Sequence, residues 1–426
     1  MHLLLWLVCS LTLAADPTSG DGSTPLHWAS YHDDLQAANR LIHAGADVNA
    51  ATDLGVTPLW AASQNGSEAM VKKLLDAGAN PNLALLSGET PLMVAARGGY
   101  TGVVELLLVK GANPNAHGTR SQTALMWAVA QKHPDVVKVL LAHGADVRAR
   151  SDVWSMMMAV PPHGYLGYNQ QIPHGGDTAL MFAARVGDLE SAKLLVAAGA
   201  NVNDADAWSV SATVLAAHSG FRDLVLYFLD KGADANAARA GFSALHEAIM
   251  RRDEKEVAAL LEHGADANAP LKTWTPTRRS SKDFHFEPVL VGATPFWLAA
   301  HFDEPGIMRL LVAHGANALF VHHSDEVADR GFKHKTETTT ALMAAVGMGG
   351  GSAWVQAERG EREALTLDAV KIAVDLGVDV NARNNEGSTA LDGAQALRYE
   401  TVIQYLVSKG AKANRPVVKK AAPVEN

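Results

Sequence analysis

A few side chains outside the repetitive parts of the sequence have the chemistry of metal ligands. Imidazole and carboxylate groups suit zinc and other divalent metals. The candidates are His163, His174, His322, His323, Asp325 and His334. Their spacing contains no HExxH helix or other tight ligand pattern. A metal-binding or enzymatic site built from these stretches stays open as an alternative, and the sequence predicts no catalytic residue, metal ligand or cofactor.

Cysteine and phosphate chemistry have little support in the sequence. The single cysteine, Cys9, lies in an apolar N-terminal segment, so the folded body has no thiol for a disulfide, a cysteine zinc site or a nucleophile. The glycine-rich stretch 347–351 lacks the Lys-Ser/Thr ending and the preceding strand of a phosphate-binding loop. This stretch is interpreted as a turn.

The composition indicates a folded chain and argues against nucleic acid as its partner. Hydrophobic residues make up 48% of the 426 residues and charged residues 19%, which permits a buried core and excludes wholesale disorder. The net charge of −9, from 36 basic and 45 acidic residues, argues against binding to nucleic acid or to membrane surfaces.

The N-terminus predicts export. Residues 3–15 form an apolar run that is too short for a hydrocarbon core about 30 Å thick, and Ala14 and Ala15 offer a cleavage site. We expect a signal peptide over 1–15 and a periplasmic or extracellular protein without a membrane span. A buried N-terminal helix and a misplaced start codon are the alternatives.

A repeat of about 33 residues organises the rest of the chain. The tract Leu-Leu-x-x-Gly-Ala-Asp/Asn-x-Asn recurs ten times between 19 and 414, with repeats ending near 50, 83, 116, 149, 204, 237, 269, 319, 382 and 414. Its glycines are Gly45, Gly78, Gly111, Gly144, Gly199, Gly232, Gly264, Gly315, Gly377 and Gly410. Length here measures the number of repeats rather than the number of separate domains.

Each repeat contains the signals for two helices. A Thr or Ser is a good N-cap, and a following Pro fits the first helical position. A second helix with one apolar stripe ends at the repeat's glycine, which suits a left-handed C′ position. The capping residues are Thr24, Thr57, Thr90, Thr123, Thr178, Ser211, Ser243, Thr294, Thr340 and Thr389.

The Thr-Pro-Leu-His starts and Gly-Ala-Asp-x-Asn ends resemble the ankyrin-repeat family. The resemblance implies an all-α solenoid of stacked helix-turn-helix units with β-turn fingers, in which first helices and finger tips line a concave face. His27 and His246 occupy the family's structural histidine position. Arg148 departs from the family pattern, because asparagine is usual at that position.

The positions of several other side chains within the repeat predict structural roles rather than binding. His43, His143, His263 and His314 precede the glycine of a second helix and are expected at solvated helix ends. Four tryptophans within first helices are expected to pack in the core. They are Trp28, Trp60, Trp127 and Trp297.

The concave face implied by the resemblance is the predicted protein-binding site. Its residues are rich in Arg and aromatic side chains, which are enriched at interface hot spots. They are Tyr31, Gln64, Arg97, Gln131, Arg185, Trp208, His218, Phe242, Arg251, His301 and Phe302. The alternative is a merely solvated face with scattered aromatics.

Four insertions and a tail interrupt the pattern. Insertions at 149–175, 270–291 and 319–339 fall at fingers and predict enlarged loops, while 349–365 splits a repeat between its helices and 415–426 is a flexible tail. We expect a non-enzymatic, exported scaffold, monomeric, that binds a protein partner through the concave groove and these fingers. A secreted host-directed effector with the same binding mode is an alternative.

Overall fold

The computed structural model describes residues 20–158, 169–275, 285–327, 333–350 and 358–414. They form two compact units, Met1–Ser151 and Asp152–Asn426. The predicted all-α solenoid class is confirmed, because helices dominate both units and the described strands form only two-stranded sheets. The apolar segment 3–15, the tail 415–426, and His163 lie outside the described residues.

Unit 1 consists of four helix pairs. The first helices of successive pairs contact one another, as do the second helices, so each repeat packs on its neighbour. The helices are α1 (Pro25–Tyr31), α2 (Leu35–His43), α3 (Pro58–Asn65), α4 (Glu68–Asp76), α5 (Pro91–Gly98), α6 (Thr101–Val109), α7 (Ala124–Ala130) and α8 (Pro134–Ala142).

The predicted start signals work as expected from the sequence. The hydroxyl of Thr57 accepts a hydrogen bond from the Trp60 amide at 3.1 Å, and Thr90 caps α5 in the same way. Behind the caps, Leu59, Leu92 and Leu125 are almost completely buried. The repeated leucine forms a continuous core between the two layers of helices.

Asparagine side chains hydrogen-bond successive repeats to each other. The Nδ2 of Asn82 donates to the Gly111 carbonyl at 2.9 Å, and its Oδ1 accepts from the Asn113 amide at 2.8 Å. We call this pair of bonds the asparagine clamp. It also forms at Asn49, Asn115, Asn203, Asn236, Asn268 and Asn381. The clamp satisfies backbone groups at the helix end of the following repeat.

Unit 2 continues the same helix pairs and adds two hairpins. Its helices are α9 (Ala179–Val186), α10 (Leu189–Ala197), α11 (Ala212–Ser219), α12 (Arg222–Asp230), α13 (Ala244–Met250), α14 (Glu254–Glu262), α15 (Pro295–His301), α16 (Pro305–Ala313), α17 (Ala341–Ala345), α18 (Arg359–Asp375), α19 (Ala390–Leu397) and α20 (Glu400–Ser408). Its strands are β1 (Val153–Met158), β2 (Gln170–Gly175), β3 (Val321–Val327) and β4 (His334–Thr340).

Two of the insertions expected as enlarged loops are antiparallel hairpins in their described parts. Strand β1 pairs with β2 from Val153 opposite Gly175, and β3 pairs with β4 from Val321 opposite Thr340. The hairpins begin shortly after Arg148 and Leu319, the residues that replace the clamp asparagine. Neither residue has a side-chain amide, so neither can form the asparagine clamp.

The insertion 270–291 folds back onto the fingers. Its side chains Leu271, Trp274 and Phe286 are buried, as are Val289 and Leu290. The Thr275 amide donates to the Phe286 carbonyl at 3.1 Å, which joins the two described ends of this insertion. Arg278, Arg279 and Phe284 lie outside the described residues. This insertion therefore adds a small apolar core to unit 2.

Within the described ranges, no helix is both long enough and apolar enough to cross a lipid bilayer.

Candidate protein-binding faces

One register position places side chains of successive repeats of unit 1 on the same surface. We call the seventh residue after the capping Thr or Ser the face position. In unit 1 it is occupied by Tyr31, Gln64 and Arg97, and Gln131 lies one residue further along its own repeat. Tyr31 is 51% exposed, Gln64 and Gln131 are exposed, and Arg97 is partly exposed. The first helices that carry these side chains pack in a row, so the residues form one face of unit 1.

Arg97 is held between two neighbours. Its Nη1 lies 3.2 Å from Oε1 of Glu89, which immediately precedes the capping Thr90. Its guanidinium also lies 5.4 Å from the ring centroid of Trp127 in the next repeat. An Arg over an indole face is a favourable cation–π arrangement. Trp127 occupies the fourth position after its own cap, which we call the opposing position, because it meets the face position of the preceding repeat.

The start of the same face carries an exposed aromatic cluster. Trp28 is 50% exposed and stacks on His32 with 6.1 Å between ring centroids, and Tyr31 meets His32 edge-on at 5.2 Å. The expectation that Trp28 packs in the core is wrong. It occupies the opposing position of the first described repeat, where no earlier described repeat supplies a side chain to cover it. Trp297 is fully buried as expected, and Trp60 and Trp127 are half-buried.

In unit 2, Arg185 repeats the arrangement of Arg97. Its Nη2 lies 2.8 Å from Oδ1 of Asp177, the residue before the capping Thr178, and 3.6 Å from Oδ2 of Asp206. Asp177 is buried, and burial raises the pKa of Asp206. One half-exposed guanidinium therefore neutralises two carboxylates beneath it.

His218 forms the corresponding contact in the next repeat. Its Nδ1 lies 3.1 Å from Oε2 of Glu247, a buried carboxylate at the opposing position. Arg251 donates from Nη1 to the His218 carbonyl at 2.9 Å. His218 is exposed and Arg251 partly exposed, so both remain on the surface.

Three predicted face residues are buried instead. Phe242, His301 and Phe302 are each 4% exposed, so the prediction that they contact a partner is wrong for this structure. Phe242 lies against Trp208 at 5.6 Å and against Phe286 at 6.1 Å between ring centroids. Phe286 belongs to the insertion 270–291. This insertion therefore covers Phe242 and buries it in the core. Trp208 itself remains partly exposed.

His301 is buried in an aromatic cluster with Trp297 and His322. His322 comes from strand β3, its ring centroid lies 4.5 Å from that of Trp297, and its Nε2 lies 2.9 Å from the Val289 carbonyl. Neither ring nitrogen of His301 has a hydrogen-bond partner among the described residues. Burial, and then the nearby His322, lowers the pKa of His301 to about 4. The imidazole of His301 is therefore neutral at pH 7.

The candidate metal ligands lie in separate environments. His323 contacts Thr338 at 3.3 Å, His334 lies 3.0 Å from Asp325, and His174 stacks on Trp154. Among the described residues, no group of three or more His, Cys, Asp or Glu side chains could hold a metal ion.

The structural histidines are confirmed. His27 hydrogen-bonds to Thr24 through Nδ1 and lies 2.9 Å from the Val56 carbonyl through Nε2. His246 makes the same contacts with Ser243 and, at 3.0 Å, with the Ala269 carbonyl. Each imidazole ties a helix start to a finger of its unit.

Sequence reasoning missed the acidic residues that hold the face. Glu89 and Asp177 directly precede a capping residue, and Glu247 occupies an opposing position. Their register was visible in the sequence, since each lies at a fixed distance from a Thr or Ser cap. The pairing with Arg97, Arg185 and His218 required knowledge of which helix faces meet.

Comparison with known proteins agrees with the repeat pattern. A family model described as "Ankyrin repeats (3 copies)" matches residues 2–84, 59–151 and 180–270, and a second, "Ankyrin repeats (many copies)", matches 125–196. The chain is also similar to the Danio rerio protein named "Putative palmitoyltransferase ZDHHC13", with 26% identity over 245 residues. That alignment covers 53% of this chain and 33% of the relative, so the chain spans about a third of the relative's length.

Proposed function

Since the chain belongs to the ankyrin-repeat family, a family of protein-interaction scaffolds, we propose that it is a non-enzymatic scaffold. Its main binding surface is the face of unit 1, where Tyr31, Gln64, Arg97 and Gln131 meet an extended segment of a partner protein. The observation that carries this proposal is the row of exposed side chains at one register position of successive first helices.

The chemistry of this face supports the proposal. Tyr, Trp and Arg are the residue types most enriched at binding hot spots. Arg97 is held by Glu89 and by the indole of Trp127, so less side-chain entropy is lost when a partner binds. The asparagine clamps keep successive repeats in fixed register, which favours a partner that contacts several repeats at once.

A second, smaller face in unit 2 belongs to the same proposal. Arg185, Trp208, His218 and Arg251 retain exposed surface there. Their charged groups are already paired within the chain, so a partner would add hydrogen bonds to pre-positioned groups rather than order free ones.

Export is a further part of the proposal, motivated by the apolar segment 3–15 and the alanines at its end, Ala14 and Ala15. A secreted host-directed effector, the alternative, would use the same binding mode on a host cell. N-terminal sequencing of the protein recovered from the exterior of producing cells tests cleavage near Ala15. Intact protein retained inside the cells, with Met1 still attached, would contradict export. The activity named for the Danio rerio relative is not carried over, because the match covers a minor part of that protein.

The binding proposal is tested with peptides selected from a random dodecapeptide phage library on the purified chain. We expect Tyr31→Ala and Arg97→Ala each to weaken the selected peptides about tenfold or more in fluorescence anisotropy titrations. Matched controls on the second helices are Gln36→Ala and Lys138→Ala, two exposed side chains remote from the face. Equal affinity for the face variants and the controls would contradict binding on unit 1.

A further inference from the structure

The last repeats of unit 2 enclose a pocket that the predicted face did not include. Its volume is about 880 Å³, which is within the range of ligand-binding clefts. It is bounded by β4, by the glycine-rich stretch 347–350, by the finger residues 384–388 and by α19. Every residue that lines it belongs to unit 2.

The repeat register explains why the pocket is open. At the other junctions within each unit, the face position or the opposing position carries a larger side chain, as with Arg97 against Trp127 and His218 against Glu247. At the junction of the last two repeats, the face position of the ninth repeat is Gly347 and the opposing position of the tenth is Gly393. Two side chains that fill the groove in other repeats are therefore absent at this junction.

Packing and backbone conformation favour glycine at these two positions. A methyl group at Gly393 would lie 2.7 Å from Cγ2 of Val346, so α19 could not approach α17 as closely with any other residue. Gly347 has φ of +75°, a conformation that other residues adopt only with strain. The floor of the pocket is thus backbone, bordered by the apolar side chains of Met348, Ala396 and Ile403.

The walls of the pocket are predominantly acidic. Four carboxylates line it, Glu337, Glu386, Asp392 and Glu400, against the cations Lys335 and Arg398. The Asp392 carboxylate accepts hydrogen bonds from the backbone amides of Thr389 and Asn414. The Glu337 carboxylate accepts a hydrogen bond from the side-chain amide of Asn384 and forms an ion pair with Lys335. Neither Glu386 nor Glu400 has an ion-pair partner in the part of the chain that the structure describes. Both are exposed at the pocket edge and can pair with a positive group.

We propose that this pocket binds a lysine or arginine side chain of an extended partner segment. The apolar side chains that border the floor accommodate the methylene stem, and Glu386 and Glu400 meet the charged end. The proposal rests on the proposed scaffold function and gives it a specificity, since the unit 1 face carries an arginine and no unpaired acidic cluster of this kind.

The experiment selects a random octapeptide phage library on the purified full chain and measures each selected peptide by fluorescence anisotropy. Ala396→Trp fills the pocket from an exposed face position, and Gln64→Trp is the matched change at the face position of unit 1. We expect a class of peptides that contain Lys or Arg and lose about tenfold or more in affinity with Ala396→Trp but not with Gln64→Trp.

Charge is tested with a second pair of variants. Glu386→Gln with Glu400→Gln should weaken this class about fivefold or more, as should replacement of its Lys or Arg by Gln, and the effect should shrink at high salt. Glu190→Gln with Glu262→Gln makes the same charge change at exposed positions away from the pocket and should have no effect. Circular dichroism establishes that each variant is folded.

The outcomes separate the two proposals. Peptides that are lost only with Gln64→Trp leave the scaffold function standing and overturn the pocket. Peptides that are lost with Ala396→Trp but are indifferent to Glu386, Glu400 and their own basic residue overturn the assigned ligand chemistry. A library that yields no binding peptide counts against both.

Discussion

The imidazole of His301 is stacked on the indole of Trp297, with 5.2 Å between ring centroids and 11° between ring planes. Both side chains are buried in unit 2, and the hairpin residue His322 lies on the same indole. A charged imidazole in this position would have no hydrogen-bond acceptor among the described residues. Burial without a hydrogen-bond acceptor therefore favours the neutral form of His301.

This stack predicts a loss of stability in mild acid. The pKa of His301 falls from 6.5 to about 4 on folding, so the unfolded chain binds the extra proton first. The contribution is fully present above about pH 6.5 and is lost progressively as the pH falls toward 4. We expect His301→Phe, measured by thermal unfolding between pH 4 and 7, to show a smaller decrease in Tm than the wild type. The exposed His314→Gln is the control, and an unchanged pH profile in His301→Phe would contradict the interpretation.

Glu256 predicts the opposite pH dependence. Its carboxylate is 1% exposed, without a hydrogen-bond partner among the described residues, and burial followed by repulsion from Asp253 raises its pKa to about 7. Other second helices have buried apolar residues at this third position: Met70, Val103, Val136, Leu224 and Ile307. The unfolded chain releases the proton near pH 4.5, so this contribution to wild-type stability falls as the pH rises from about 4.5 to 7 and levels off above that.

Glu256→Leu should therefore stabilise unit 2 at pH 8 by roughly 1–3 kcal/mol, because it removes a buried carboxylate that accepts no hydrogen bond among the described residues. Glu256→Gln should remove the pH dependence with a smaller gain, since an unpaired amide remains buried. Denaturant unfolding at pH 5 and pH 8 measures both effects. A lower midpoint for Glu256→Leu at pH 8 would show that the carboxylate has a stabilising partner.

The asparagine clamp predicts an energetic link between repeats. Asn82→Ala removes two hydrogen bonds, to the Gly111 carbonyl and from the Asn113 amide, and leaves both backbone groups without their protein partner. We expect a cost of roughly 1–3 kcal/mol in the free energy of unfolding of unit 1. Asn82→Asp keeps the acceptor and loses the donor, so its free energy of unfolding at neutral pH should lie between those of Asn82→Ala and the wild type. Equal stability of all three proteins would remove the clamp as a source of cohesion.

Two tryptophans that the sequence treats alike should respond differently to truncation. Trp28→Ala removes a side chain that is 50% exposed and should cost less than about 1 kcal/mol. Trp297→Ala leaves a cavity beneath the hairpin and should cost about 3–5 kcal/mol. Thermal unfolding of both variants measures the contrast. Similar Tm losses would mean that the exposed face of Trp28 is covered in solution.

The helices, caps and structural histidines follow from the sequence because they depend on neighbours at a constant separation. Thr57 caps α3, and His27 reaches the Val56 carbonyl, by rules that hold in any repeat. His301 has the same register as the exposed Tyr31 and Gln64, yet it is buried with Trp297 beneath the hairpin residue His322. Phe242 is buried against Phe286 of the insertion 270–291. Burial by an insertion depends on how that insertion folds, which no periodicity describes.

The candidate sites divide in the same way. Arg97 and Arg185 were predicted from register, whereas the acids that hold them were not. The pocket in unit 2 could have been predicted from the sequence, since both positions that meet at the last junction, Gly347 and Gly393, lack a side chain. The sequence alone does not show that these two positions face each other in neighbouring repeats. The contact of Arg97 with Trp127 in the structure shows it.

The asparagine clamps also determine where the polypeptide can be truncated without breaking a hydrogen-bonded pair between repeats. A fragment that stops after Asn268 leaves the amide without its acceptor at Gly315 and its donor at Asn317. A fragment that stops at Leu319 interrupts no such pair, because leucine has no amide to lose. Expression fragments that end after Arg148 or Leu319 should therefore be more stable and more soluble than those that end at the other repeats.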